Sequence, residues 1–308
     1  MEIRYEFRMF APPTSDNFTT SQIRAVANEN RMTNPFPEWI GRVSESEDIV
    51  TERLAASFRA ILAPHLADTP EGTAPLGLHW CLSPAIAAMD ELGQDGHPAK
   101  NRDLPPVPMP RRMWAGGEIE TFEPLRVGDR VRRRSTIADI TRKQGKSGEL
   151  WFVAVRHDYS TDRGLAIRER HDIVYREAAQ PAKAGATLPA DNPAERPHAT
   201  SWTVPTSPVL LFRYSAITFN GHRIHYDLPY ATGVEGYPGL VVHGPIQATL
   251  LYNLAATRFD AAPKRFTYRA LAPAFAGADI FVQSDAEGAN YWTQSANGLV
   301  HMEATASA

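Results

Sequence analysis

Apolar residues along the chain change from helical spacing to strand spacing, and the succession occurs twice. Leu54, Phe58, Ile61 and Leu62 share one helical face, and Thr51 is placed to cap part of it, so a helix is predicted over 46–62. Leu82 to Leu92 forms a second helical run, ended by Gly93, and a proline-rich loop follows from Leu104 to Pro110. From Arg111 to Tyr175 the period becomes two. Trp151, Val153 and Val155 alternate with Phe152, Ala154 and Arg156, and Ile173-Val174-Tyr175 is β-prone. The second half repeats the order: a helix within Gly239–Leu254, then strands at Phe266–Ala270, Asp279–Gln283, Tyr291–Thr293 and Leu299–Ala304.

Two short echoes point to duplication. Pro124-Leu125-Arg126-Val127-Gly128 parallels Pro273-Ala274-Phe275-Ala276-Gly277, and Gly164-Leu165 parallels Gly298-Leu299. A helix followed by four antiparallel strands is an α+β unit with one sheet wrapped on a helix. The 308 residues suit two units of that size. The divisions read as an extension of uncertain order over 1–38, a first unit over 39–178, an Ala/Pro/Asp-rich linker over 179–198 and a second unit over 199–308.

Composition narrows the function classes. With 43% apolar and 22% charged residues the chain is ordinary globular protein. A net charge of -3 gives no global basic field for nucleic acid, and Arg132-Arg133-Arg134 reads as a solvated strand face. Apolar stretches fall well short of the ~20 residues of a membrane span. A single cysteine, Cys81, excludes an intramolecular disulfide and a cysteine metal cage, and makes the cytoplasm the expected compartment. The leader lacks a secretory apolar core and mixes its arginines with Glu2, Glu6, Asp16 and Glu29; a mitochondrial address would follow only if it were a transit peptide.

Chemistry concentrates in the second half. Asn220, His222 and His225, all suited to proton transfer or water binding, lie within six residues, in the run Phe212-Arg213-Tyr214-Ser215-Ala216-Ile217-Thr218-Phe219-Asn220-Gly221-His222-Arg223-Ile224-His225-Tyr226-Asp227. Pro245 after Gly244 suits the first turn of a helix, whose free N–H groups can hold a developing enolate oxygen. Alternatives stay open: His222 and His225 as polar loop residues, His243 as a shaper of the helix start, Gly244 as an entry glycine, Arg213 as a structural ion pair. Arg111 and Arg112, beside Trp114, read as solvated or inter-domain, and His79 and Trp80 as packing or pocket wall. The spacing of the histidines and Asp227 fits no familiar metal-ligand pattern.

The Phe212–Asp227 run, Val234–Pro245 and Pro110–Gly117 together resemble the MaoC-type (R)-specific enoyl-CoA hydratases. The resemblance is closest to the subgroup holding mesaconyl-C4-CoA (3-methylfumaryl-CoA) hydratase, itaconyl-CoA hydratase and the yeast-type mitochondrial hydroxyacyl-thioester dehydratase. It covers about Trp39 to the C-terminus and implies a tandem, or double, hotdog with catalytic residues in the second unit and a degenerate site in the first. His225 matches the family histidine and Gly244 the glycine whose N–H polarises the thioester carbonyl. Asn220 stands where the general pattern has aspartate, and an amide cannot act as a base, so His225 or His222 must move the proton while Asn220 holds water.

The implied reaction is syn hydration, or its reverse, of an α,β-unsaturated acyl-CoA, with CoA part of the substrate and no cofactor or metal. For a dicarboxylic substrate, Arg213, Arg223 and His243 are the binding candidates, and Lys264 and Arg265 those for the CoA phosphates. Competing functions are a 3-hydroxyacyl-thioester dehydratase of fatty acid synthesis, a hotdog thioesterase and a non-catalytic acyl-thioester binding module. Back-to-back pairing of the two sheets within one chain allows a monomer or a homodimer of double hotdogs.

Overall fold

The computed structural model describes residues 35–145, 148–177 and 196–308. Residues 1–34 of the expected extension and most of the linker over 179–198 lie outside the described residues. In the first unit, β1 (Val43–Ile49) and α1 (Glu52–Leu62) precede β2 (Arg111–Thr121), β3 (Arg130–Gly145), β4 (Gly148–Thr161) and β5 (Gly164–Arg176). In the second, β6 (Thr200–Pro205), α2 (Pro208–Ile217), α3 (Leu228–Gly233) and α4 (Gly244–Phe259) precede β7 (Arg265–Ala270), β8 (Asp279–Ser284), β9 (Asn290–Gln294) and β10 (Val300–Ser307). No described helix is long and apolar enough to cross a membrane.

The strands form one sheet in the order β1-β3-β4-β5-β2-β7-β10-β9-β8-β6. Exchanging β1 with β6, β2 with β7 and so on maps this order onto itself, so the halves are related by a pseudo-twofold axis at β2 and β7. These two strands pair antiparallel from Gly116 opposite Arg269 to Glu120 opposite Arg265. The back-to-back arrangement expected of the units is therefore corrected: their sheets join edge to edge.

Both echoes fall on matching turns. Val127 N–H donates to Gly72 O and Ala74 N–H to Leu125 O; Ala276 N–H donates to Leu240 O and Val242 N–H to Ala274 O. Gly128 (φ 95°) and Gly277 (φ 93°) hold the left-handed position that closes each turn. Strand-to-helix starts match as well: Thr51 Oγ accepts from Leu54 N–H and Ser207 Oγ from Leu210 N–H, each an N-cap.

Two helical expectations fail. The segment 46–49 belongs to β1, because Glu45 and Glu47 pair across the ladder with Arg134, Arg130 and Arg132; the helix starts after the Thr51 cap. Leu82–Leu92 forms no α-helix. Pro84 disfavours helical geometry at Ser83, which takes φ 50° while Asp48 holds its N–H at 2.7 Å. Ile86 and Met89 point outward, and only a single 3-10 turn forms, at Met89–Glu91.

The long core helix belongs to the second unit. α4 is buried nearly all round from Ile246 to Ala256, which is the pattern of a helix inside a core. Its Tyr252 hydroxyl lies 2.6 Å from Thr121 Oγ on β2. Asn253 is fully buried and fully satisfied, donating to Leu76 O and Thr249 O and accepting from Ala67 N–H. At the matching place the first unit has Pro75-Leu76-Gly77 and a 3-10 turn at Leu78–Cys81, so one helix centres a core drawn from both units.

Candidate active site

α2 delivers the candidate residues through a tight C-terminal turn. Asn220 N–H donates to Ser215 O and Phe219 N–H to Ala216 O, with Phe219 left-handed at φ 51°. This is a Schellman closure with phenylalanine where glycine is usual. It lifts Asn220 off the helix, and Asn220 Oδ1 then accepts from His222 N–H at 3.0 Å. That bond uses one of the oxygen's two lone pairs and fixes the amide plane, and the amide N–H groups are the donors Asn220 offers a ligand. A 3-10 turn, Arg223–His225, drives His225 into the interior.

His225 Nδ1 lies 2.7 Å from Val241 O. A carbonyl only accepts, so Nδ1 carries the proton and Nε2 keeps its lone pair. Burial lowers the His225 pKa to about 4, against a smaller upward pull from the Val241 bond. The His225 ring stacks on His243 at 3.6 Å and meets His222 edge-on at 5.3 Å; His222 in turn lies 4.1 Å from His97. His243 Nε2 is 2.9 Å from Ser215 Oγ. Burial first, then the neighbouring imidazoles, push His243 well down and His222 down to about 2. Burial thus favours neutral rings at His222, His225 and His243, and a proton on one ring repels any on the next.

His243 is the N-cap residue of α4, so the stack brings His225 to the helix start. Gly244 N–H makes no backbone hydrogen bond among the described residues, and Pro245 occupies the first turn without needing one. A Cβ on Gly244 would meet the Trp114 ring at 2.7 Å, so glycine is required by the close approach of β2. The free N–H and the partial positive charge of a 16-residue helix face the same place.

The first unit contributes more than its sequence announced. A loop over 93–98 docks on the histidine loop: Arg223 N–H donates to Asp95 O at 2.9 Å. Gly96 and Gly221 touch backbone to backbone, and a Cβ on Gly96 would stand 2.0 Å from Gly221 O. Asp95 accepts from His97 N–H at 3.0 Å and from His97 Nδ1 at 2.9 Å. Burial alone would raise the Asp95 carboxyl, but these bonds and the Arg112 charge hold it far below the usual range. Asp95, His97 and His222 present ligand atoms within 4.8 Å of one another, the arrangement nearest to a metal set among the described residues. The Arg112 guanidinium acts on Asp95, His97 and His222 alike, and a cation there opposes a metal ion. Asp95 and His97 had no sequence signal as site residues, lying over a hundred positions from His225; Arg112 lies within the Pro110–Gly117 motif but reads from sequence as solvated or inter-domain.

Asn220, His222, His225, His243 and Gly244 converge. The expected cations do not. Arg213 is exposed and lines a separate groove with Ile61, Pro64, His65 and Val204. Arg223 is committed to Asp227 Oδ2 at 2.7 and 2.9 Å, to Gln94 O, and to the Tyr230 ring at 4.1 Å; it fastens the loop rather than offering itself. Lys264 and Arg265 follow the far end of α4, about 24 Å from Gly244 by helix rise, and Arg265 pairs with Glu118 at 2.8 Å. Arg111 fulfils the inter-domain reading, pairing with Glu235 at 2.8 Å.

A family model described as hydroxyacyl-thioester dehydratase type 2 matches residues 77–276. The chain is similar to the mesaconyl-C(4)-CoA hydratase of Chloroflexus aurantiacus, 44% identical over 241 residues that cover 77% of this chain and 84% of that protein. Among solved structures it is similar to HtdX of Mycobacterium tuberculosis, with a TM-score of 0.61 and 18% identity over 86% of this chain and 99% of that one. A second Mycobacterium tuberculosis protein, described as having a double hotdog fold, matches at a TM-score of 0.50 and 13% identity over 87% and 96%. The two structural likenesses establish the double-hotdog fold.

Proposed function

Since the chain belongs to the hydroxyacyl-thioester dehydratase type 2 family, we propose that it hydrates the C4 thioester of mesaconate, an unsaturated branched dicarboxylic acyl-CoA. It is a hydro-lyase acting on an unsaturated acyl-CoA. The observation carrying the mechanism is the neutral His225, tautomer fixed by Val241, stacked on the residue that caps α4.

In this reading the thioester oxygen sits on Gly244 N–H and the Asn220 amide holds a water against His225 Nε2. His225 removes a proton as the water oxygen bonds to Cβ, and the displaced π electrons move to the thioester oxygen as an enolate. The imidazolium then returns its proton to Cα on the same face, and the net change is addition of one water. His222, edge-on to His225, is the second proton carrier. The Gly244 N–H and helix charge stabilise the enolate more than the ground-state carbonyl, which lowers the barrier. The site uses no cofactor, and CoA enters with the substrate.

Incubation with mesaconyl-C4-CoA, itaconyl-CoA and crotonyl-CoA followed by mass spectrometry tests this. Gain of one water, fastest on mesaconyl-C4-CoA, is the expected result. Release of free CoA would identify a thioesterase, and no change on any of the three a binding module; either outcome overturns the proposal.

A further inference from the structure

We propose that Arg112, supplied by the first unit, binds the free carboxylate of the acyl group and so selects dicarboxylic over monocarboxylic thioesters. The assignment rests on the hydratase reading above.

Position comes first. Side chains two apart on a strand share a face and are separated by about 7 Å. Arg112 and Trp114 are so related on β2, and the Trp114 ring packs on Gly244. Arg112 therefore stands one strand step from the proposed thioester oxygen site, on the side where its charge reaches His222, His97, Asp95 and Lys100. In a thioester of mesaconate carrying CoA on C4, the free carboxylate is borne by Cβ, the carbon that receives the water. A carboxylate so placed needs a cation a short step beyond the carbonyl anchor.

Availability comes second. Arg111, Arg223 and Arg265 are paired with Glu235, Asp227 and Glu118. Arg112 makes no salt bridge with a described carboxylate; its side-chain contact is with the neutral hydroxyl of Tyr175 across the ladder, and the Lys100 ammonium is directed at the Val107 and Met109 carbonyls. Asp95 is engaged by two N–H groups of His97.

Charge comes third. Arg112, Lys100 and Asp95 carry two positive charges and one negative; burial and the Arg112 charge lower the pKa of His97 and His222, against an upward pull from Asp95. The cluster is therefore one anion short, and a substrate carboxylate supplies it. A guanidinium can accept that carboxylate through two parallel N–H bonds, which an ammonium cannot reproduce.

The test compares kcat/KM for mesaconyl-C4-CoA and crotonyl-CoA in the full-length wild type, Arg112→Met and Arg112→Lys. Arg112→Met is expected to lower the dicarboxylic-to-crotonyl ratio by about 100-fold, the scale for leaving a substrate charge unpaired in a built site. Arg112→Lys recovers part of that ratio. An unchanged ratio, whether both activities fall together or neither does, overturns the assignment of Arg112 alone. A wild type that hydrates crotonyl-CoA but no dicarboxylic thioester overturns the substrate reading, and the assignment with it.

Discussion

The two halves share strand order, turn chemistry and helix caps, yet they diverge at the candidate site of the second half. There the second half has His243-Gly244-Pro245 and a 16-residue helix; the register of the matching turns sets Pro75-Leu76-Gly77 and a short 3-10 turn opposite them. A leucine at the Gly244 position and no long helix leave no free N–H site. The first half instead buries a carboxylate. Glu169 on β5 is fully enclosed, accepting from Trp80 Nε1 at 2.7 Å and Tyr268 hydroxyl at 3.0 Å, with His171 Nε2 at 2.7 Å. Burial would raise its pKa, but His171 and His79 hold it well below the usual range. The half without a long core helix of its own gives the other half a wall and a charge: Trp114 against Gly244, the 93–98 loop against the histidines, and the Arg112 guanidinium beside them.

Four experiments sharpen or break that contrast. The largest effect belongs to His225→Ala, which should lower kcat/KM for hydration by about 10³-fold, within the range for loss of a general base; undiminished turnover by a stopped assay would remove His225 from the chemistry. Next is Gly244→Ala, where the new methyl meets Trp114. It should cost about 10²-fold in kcat and about 2 kcal/mol in stability by denaturant unfolding; a harmless alanine would show that the close approach of β2 does not matter.

The third effect is in pH. Above the lowered His225 pKa the base is free, so the acid limb of kcat/KM should bend near pH 4, not near the ordinary 6.5. The unfolded chain binds protons that the folded His225 refuses, so stability should fall as pH drops from 6.5 towards 4. A limb at 6.5 would mean that water reaches the ring. The smallest effect on turnover belongs to Glu169→Gln. It should reduce thermal stability by roughly 1–3 kcal/mol through mismatched donors and leave kcat per folded molecule little changed, because Glu169 reaches Gly244 only through Tyr268 and Trp114. A large loss of kcat would make the first half a chemical participant.

The strands β2 to β5 and β7 to β10 were legible from their β-prone runs, and α4 because Gly244-Pro245 marks its start; β6 and α2 were not anticipated. The polar alternation of Ser44-Glu45-Ser46-Glu47 hid β1, since nothing in a half-exposed edge strand facing arginines distinguishes it from a solvated helix turn. Leu82–Leu92 misled for the opposite reason: its apolar residues suggested one buried face, but only Leu82 enters the core while Ile86 and Met89 stay exposed. At the site, Asn220, His222, His225 and Gly244 came from one contiguous run. Asp95, His97 and Arg112 reach it only through docking of the other unit; Arg213 was chosen for a nearness in sequence that is not nearness in space, and Arg223, though beside the site, is spent on Asp227 and Gln94.

Gly96 and Gly221, pressed backbone to backbone, belong to segments 125 residues apart. Contacts of such separation form late in folding, after local structure. The histidine loop is therefore expected to take its shape late in refolding, and regain of hydratase activity should lag the recovery of helical and strand signals. Turnover in this molecule reports that two halves have met.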